Sequence, residues 1–140
     1  MKATYDLAVK WFDALKGRRF EEMYSYMDEN IQWENSKLTY GYNDIIPWIG
    51  TYHGKYEVIK TFEAYGSLSE TEHFDLIDIF VDGNIILAHV YETNRVIDTG
   101  TIYHADVFFQ MKRDGDKITE WQAFWDTTEA VAAFKKKQLP

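Results

Sequence analysis

The stretch Ile85-Ile86-Leu87-Ala88-His89-Val90-Tyr91-Glu92-Thr93-Asn94-Arg95-Val96-Ile97, followed by Asp98-Thr99-Gly100 and Thr101-Ile102-Tyr103-His104-Ala105-Asp106-Val107-Phe108-Phe109-Gln110-Met111-Lys112, decides the fold. Both runs are rich in β-branched and aromatic residues, and the Gly-containing break between them has hairpin chemistry. The pattern extends both ways. His73–Val81 precedes it across Asp82-Gly83-Asn84, and Lys117–Trp125 follows it across Asp114-Gly115-Asp116. Four long strands joined by short turns predict an antiparallel meander.

Upstream the period becomes helical. Leu7, Ala8, Trp11, Phe12 and Leu15 share one face and Gly17 ends the run. Phe20, Met23, Tyr24 and Met27 mark a second helix, which Asp28-Glu29-Asn30 ends. Ile31-Gln32-Trp33-Glu34 then alternates like a short strand. Residues 35–50 read as an irregular loop, but Tyr40, Tyr42, Ile45, Ile46, Trp48 and Ile49 give it something apolar to cover. A third helix starts after Gly54 with Val58, Ile59 and Phe62 facing inward. A short last one bears Ala130, Val131 and Phe134 before Lys135-Lys136-Lys137. The prediction is a single α+β domain over residues 1–140. Three N-terminal helices and a short C-terminal one pack on a curved antiparallel sheet of four long strands plus one or two short ones.

Composition narrows the chemistry. The 140 residues include no cysteine, which excludes a disulfide scaffold, a thiolate nucleophile and a cysteine zinc site. A formal charge of −8 repels phosphate backbones, so no nucleic-acid partner is expected. No apolar run reaches the length of a membrane span and the first residues lack a signal-peptide pattern, so the expectation is a cytoplasmic protein with no membrane role. The glycines sit in hairpins, no phosphate-binding loop is present, and no cofactor is expected.

Three signatures resemble the nuclear transport factor 2-like superfamily, and within it the SnoaL-like polyketide cyclases. They are Ile46-Pro47-Trp48-Ile49-Gly50-Thr51-Tyr52-His53-Gly54-Lys55-Tyr56-Glu57-Val58-Ile59 leading into the third helix, Gly115-Asp116-Lys117-Ile118-Thr119-Glu120-Trp121, and Trp125-Asp126-Thr127. The resemblance implies a cone-shaped sheet, a deep apolar pocket for a small apolar molecule, and often a homodimer. It does not fix an activity, because the superfamily holds isomerases, hydrolases, cyclases and non-catalytic members. Where ketosteroid isomerases place an aspartate base, this chain has Asn35. Against the limonene epoxide hydrolases, the matching positions are Trp33, Asn35, Val90, Glu92 and Ala123, so only the asparagine and one carboxylate are kept. That hydrolase mechanism is not expected here.

Strand parity sorts the remaining candidates. With Thr99-Gly100 as the turn, Val90, Glu92 and Asn94 share a face with Tyr103, Ala105, Val107 and Phe109. The resemblance puts that face inside, joined by Trp121, Ala123 and Trp125. A carboxylate among aromatics is desolvated and suited to proton transfer, which makes Glu92 the lead catalytic candidate. Tyr103 and Asn35 are the candidate donors to a developing oxyanion. The plainer alternative pairs Glu92 with Arg95 or a rim lysine.

The opposite face carries His89, His104 and Asp106. His104-Ala105-Asp106 has the spacing of an iron-binding motif. Asp106 should oppose Thr93, however, leaving His89 four residues and roughly 13 Å away at about 3.4 Å per residue, so no metal site is expected. A bulge would flip parity and turn His104 and Asp106 inward as a proton-moving pair. Otherwise they form a surface or dimer-face cluster in which Arg95 neutralises Asp106. His53 can polarise a ligand carbonyl or simply be exposed. Tyr40, Tyr42, Trp48 and Tyr52 can form a lid or pack as an ordinary loop. Phe62 belongs to the expected pocket wall; Trp33, Trp121 and Trp125 belong there or in the core. The expected function is a cofactor-independent acid–base enzyme on a cyclic or carbonyl-bearing molecule. The alternatives are a non-catalytic protein that carries or senses an apolar ligand in the same pocket, as the replaced base at Asn35 and the Ala123 position favour, and a protein–protein adaptor using Ile102, Phe108 and Phe124.

Overall fold

Helix α1 (Lys2–Lys16) buries Thr4, Leu7, Ala8, Trp11, Phe12 and Ala14, the stripe its 3.6-residue period creates. The backbone N–H of Gly17 closes its last turn on the Asp13 carbonyl at 2.9 Å, and that of Arg18 follows on the Leu15 carbonyl at 3.1 Å. The computed structural model describes residues 1–36 and 44–135. Tyr40 and Tyr42, read as either a lid or ordinary loop packing, and Lys136 and Lys137 lie outside the described residues.

The chain continues through α2 (Phe20–Ser25), β1 (Met27–Asn35), β2 (Gly50–His53) and α3 (Lys55–Leu68). Then come β3 (Ser69–Asp82), β4 (Ile85–Val96), β5 (Ile102–Asp114), β6 (Lys117–Phe124) and α4 (Thr128–Lys135). The sheet order is β2-β1-β6-β5-β4-β3. The meander from β3 to β6 is antiparallel throughout, as the turn chemistry predicts.

The expected all-antiparallel sheet needs one correction: β1 runs parallel to β6, so the sheet is mixed. These strands are far apart in sequence and joined by no hairpin, so no local turn sets their relative direction. Met27 also moves, from the second helix to the first residue of β1. There it pairs with Ile118, and the Ile118 N–H donates to the Tyr26 carbonyl at 2.8 Å. At 1% exposure, Met27 satisfies an apolar slot in either element. Strand β3 starts four residues before His73, because polar Ser69-Glu70-Thr71-Glu72 pairs with the end of β4. Register shifts between Thr71 and His73 and between Leu76 and Asp78 break its alternation.

The helices pack on a curved, unclosed sheet. One apolar cluster joins α1, α2 and α3 to the sheet through Trp11, Phe12, Met23, Val58, Val107 and Trp121. A second joins Ile46, Trp48 and Ile49 to Val96, Tyr103 and the Ala130 and Ala133 face of α4. A cavity lies between the two clusters. Among the described residues no helix is long and apolar enough to cross a membrane.

Candidate functional site

The cavity has a volume of about 800 Å³, within the range of small-molecule sites. Its wall is aromatic because several elements each contribute a ring: Trp11 from α1, Tyr24 from α2, Trp33 from β1, Phe62 and Tyr65 from α3, Phe109 from β5 and Trp121 from β6. Trp33 lies directly opposite Trp121 in the parallel ladder, and their rings stack at 3.4 Å with 3° between planes. Phe109 meets Trp121 at 5.3 Å and Phe62 meets Trp33 at 5.6 Å, so the wall is braced ring against ring.

Glu92 enters this wall from the middle of β4, opposite Ala105. The small partner leaves room in front of its carboxyl group. Among the described residues Glu92 has no ion-pair or hydrogen-bond partner, and Arg95 is engaged elsewhere, by Glu70 (2.6 Å) and Glu72 (3.1 Å). Burial alone pushes the Glu92 carboxyl up to about 7 from its usual 4.5. A carboxylic acid poised near neutrality can both take and return a proton.

Beside it lies a short polar network. Tyr65 donates to Asn94 Oδ1 at 2.5 Å and also meets the Thr71 hydroxyl in a very short contact. Ser69 Oγ donates to the Arg95 carbonyl at 3.3 Å and lies 3.1 Å from the Tyr103 hydroxyl, which therefore donates to it. Burial, aided by the Glu92 charge, raises Tyr65 to about 12, and burial raises Tyr103 further, so both phenols keep their protons. Asn35 accepts from Trp125 Nε1 at 2.8 Å through its Oδ1, which leaves its amide N–H groups as donors.

Of the residues singled out in the sequence, Glu92, Asn35, Tyr103, Trp33, Trp48, Phe62, Ala105, Val107, Trp121, Ala123 and Trp125 line the cavity. Val90 does not; it is fully buried in the core beneath. Tyr52 turns away and donates to the Pro47 and Ile49 carbonyls. His53 is exposed, its Nδ1 2.6 Å from the Gln32 amide and its backbone N–H donating to Glu57 at 2.7 Å.

His104 and Asp106 lie on the other face of the sheet. His104 Nδ1 is 2.8 Å from Glu129, and Asp106 makes a very short contact with His89 Nε2. Two expectations about this face are corrected. Asp106 opposes Tyr91, not Thr93, because the β4–β5 connection spans four residues after Val96. That two-residue slip preserves parity but brings His89 into contact with Asp106, while Arg95 pairs with the β3 glutamates. Even so, among the described residues no group of three His, Asp or Glu side chains is placed to hold a metal ion.

Tyr65, Ser69 and Thr71 were not singled out. Continuing the Val58 and Phe62 stripe of α3 by one turn reaches Tyr65, so its signal was present. Ser69 and Thr71 belong to the polar start of β3, which carries no strand pattern of its own.

Comparison with known proteins places this geometry in context. A solved NTF2-like protein from Burkholderia thailandensis superposes with a TM-score of 0.83 at 19% identity over 100% of both chains. A candidate isomerase from Bacillus subtilis gives 0.78 at 16% identity, over 95% of this chain and 93% of that one. A candidate SnoaL-like polyketide cyclase from Mesorhizobium loti gives 0.71 at 15% identity, over 86% and 97%. At such identities the likeness is one of fold. No curated protein matches the chain. The model of the SnoaL-like domain matches residues 8–121, from the first helix to the tryptophan that backs the cavity, and the chain belongs to that family.

Proposed function

We propose that the protein is a cofactor-independent acid–base enzyme acting on a cyclic or carbonyl-bearing molecule in the aromatic cavity. One observation carries this reading: Glu92 is a carboxyl with no partner among the described residues, set in an aromatic wall, and desolvation holds it near a pKa of 7. In the carboxylate form Glu92 removes a proton from carbon beside the carbonyl, and in the acid form it returns it at another position. Asn35, oriented by Trp125, donates to the oxygen on which charge develops. The rings hold the apolar body of the substrate and keep water away. The solved relatives described as candidate isomerase and cyclase are compatible with this chemistry. Turnover of ketosteroid and polyketide-like cyclic ketones by wild type and Glu92→Gln tests it. Loss of turnover in the variant is expected, and equal rates would remove Glu92 from the mechanism.

The outer sheet face fits a homodimer contact, because Phe80, Leu87, Phe108 and Phe124 stand 46–62% exposed there or at its edge. Sedimentation should show a dimer that Phe108→Asp dissociates. A wild-type monomer rules the contact out.

A further inference from the structure

The groups facing the cavity are better matched to one class of ligand than the acid–base reading alone specifies. Tyr65 and Tyr103 direct their protons at Asn94 and Ser69, so toward a ligand they remain acceptors. The indole N–H groups of Trp11, Trp33 and Trp121 are shut into the wall with no accessible surface, and that of Trp125 is bonded to Asn35. Among the described residues the neutral donors left are the amide nitrogens of Asn35 and Asn94, the Tyr24 hydroxyl and the Trp48 indole N–H. The phenols that sense the Glu92 charge are nonetheless acceptors, so around Glu92 gather its own carboxyl group, the Tyr65 and Tyr103 oxygens, and the electron-rich faces of the surrounding rings.

At the exposed rim the charged lining residues are Glu63, Glu70, Glu72 and Asp75 against Lys16 and Arg18, beside His73. Arg95 neutralises two of these acids, and Arg18 is tied to the Thr71 carbonyl at 2.8 Å. Among the described residues no cationic side chain pairs with Glu92. An anionic ligand would meet Glu92 with like charge. A neutral one would leave it without a counter-charge. A cation meets both the carboxylate and the ring faces favourably.

We propose that the molecule this cavity takes is an apolar amine in its cationic form, its ammonium group lying against Glu92 and the aromatic wall. The proposal rests on the acid–base reading only in placing the ligand at Glu92, and it narrows the substrate to a cyclic or carbonyl compound that also carries a basic nitrogen. Such a cation would favour the carboxylate form of Glu92, the form that accepts a proton.

Titration of the wild-type tryptophan fluorescence with benzyltrimethylammonium and with neopentylbenzene, its uncharged isostere, tests the proposal without any variant. The cation should bind at least about tenfold more tightly at pH 8. That preference should vanish in Glu92→Gln while the affinity for the isostere persists. Equal affinity of wild type for the two probes, tighter binding of the isostere, binding of neither, or a preference retained in Glu92→Gln would each overturn it. The two readings separate cleanly. Glu92-dependent turnover of cyclic ketones without a cation preference overturns the amine proposal alone. A cation preference with no turnover of any ketone supports the amine proposal and counts against the acid–base reading.

Discussion

The two faces of the β4–β5 hairpin are built from the same strands, yet they treat charge in opposite ways. On the outer face each ionisable group has a neighbour: His89 with Asp106, His104 with Glu129, Arg95 with Glu70 and Glu72, and Lys112 with Glu120. On the inner face Glu92 has none among the described residues, and the alternating residues around it are uncharged: Val90, Asn94, Tyr103, Ala105, Val107 and Phe109. An exposed ion pair contributes little, because water already solvates both partners. A lone, partly buried carboxyl destabilises the fold whenever it is charged, and such groups cluster at functional sites. The hairpin thus keeps its paired charges outside and, on the acid–base reading proposed above, its chemical one inside.

The sharpest way to break that contrast is at Glu92 itself. Glu92→Gln keeps the shape and removes the titration. Turnover of a cyclic ketone substrate should fall about a thousandfold, the usual scale of a general acid–base contribution. A loss under tenfold would return Glu92 to the ordinary, structural side of the comparison.

The second effect is on stability against pH. Between the usual value of 4.5 and the folded value of about 7, the unfolded chain has released the Glu92 proton while the folded chain still holds it. Folding therefore takes up a proton in that window, and stability falls as pH rises through it, by about 3 kcal/mol in total. Tyr65 and Tyr103, the ionisable groups that sense Glu92, keep their protons throughout the window and add nothing to it. Urea unfolding of wild type and Glu92→Gln at pH 4 and pH 8 isolates the term: the variant should gain about 3 kcal/mol relative to wild type on going to pH 8. A constant difference would show that Glu92 is solvated in the fold.

Parity on the hairpin made the inner face legible from sequence, because the four-residue connection and the expected two-residue turn place the same residues together. Glu92, Asn94, Tyr103 and Ala105 are therefore neighbours in either register. The outer contacts were not legible in the same way. Whether Asp106 meets His89 or Arg95 depends on a two-residue slip that leaves the faces unchanged. The direction of β1 was hidden because no turn joins it to β6, and Ser69 and Thr71 were hidden because a bulged polar strand has no period to read. The helical rings of the wall were visible as buried stripes. Which of them border a cavity and which border each other depends on how the helices sit on the sheet.

A smaller effect tests the setting of Asn35. Trp125→Phe removes the indole N–H that fixes the Asn35 carbonyl, at a cost of about 1 kcal/mol in urea unfolding. With that bond gone the amide is free to rotate, so turnover should drop while the pH dependence set by Glu92 stays in place. A pH profile that moves with the variant would mean that Trp125 acts on Glu92 and not on Asn35.

The smallest effect lies on the outer face, and it completes the comparison. Asp106→Asn removes a charge whose side chain is 57% exposed and whose partner His89 is stacked on Phe108 at 4.2 Å. The ring stack holds His89 without the carboxylate, and water replaces the lost contact, so stability should change by less than about 1 kcal/mol. Turnover should be unchanged, since the sheet separates Asp106 from the cavity. If Asp106→Asn instead lowers turnover as much as Glu92→Gln does, the proton-moving pair is on the outer face, as a flipped strand would place it, and the assignment of the two faces must be reversed.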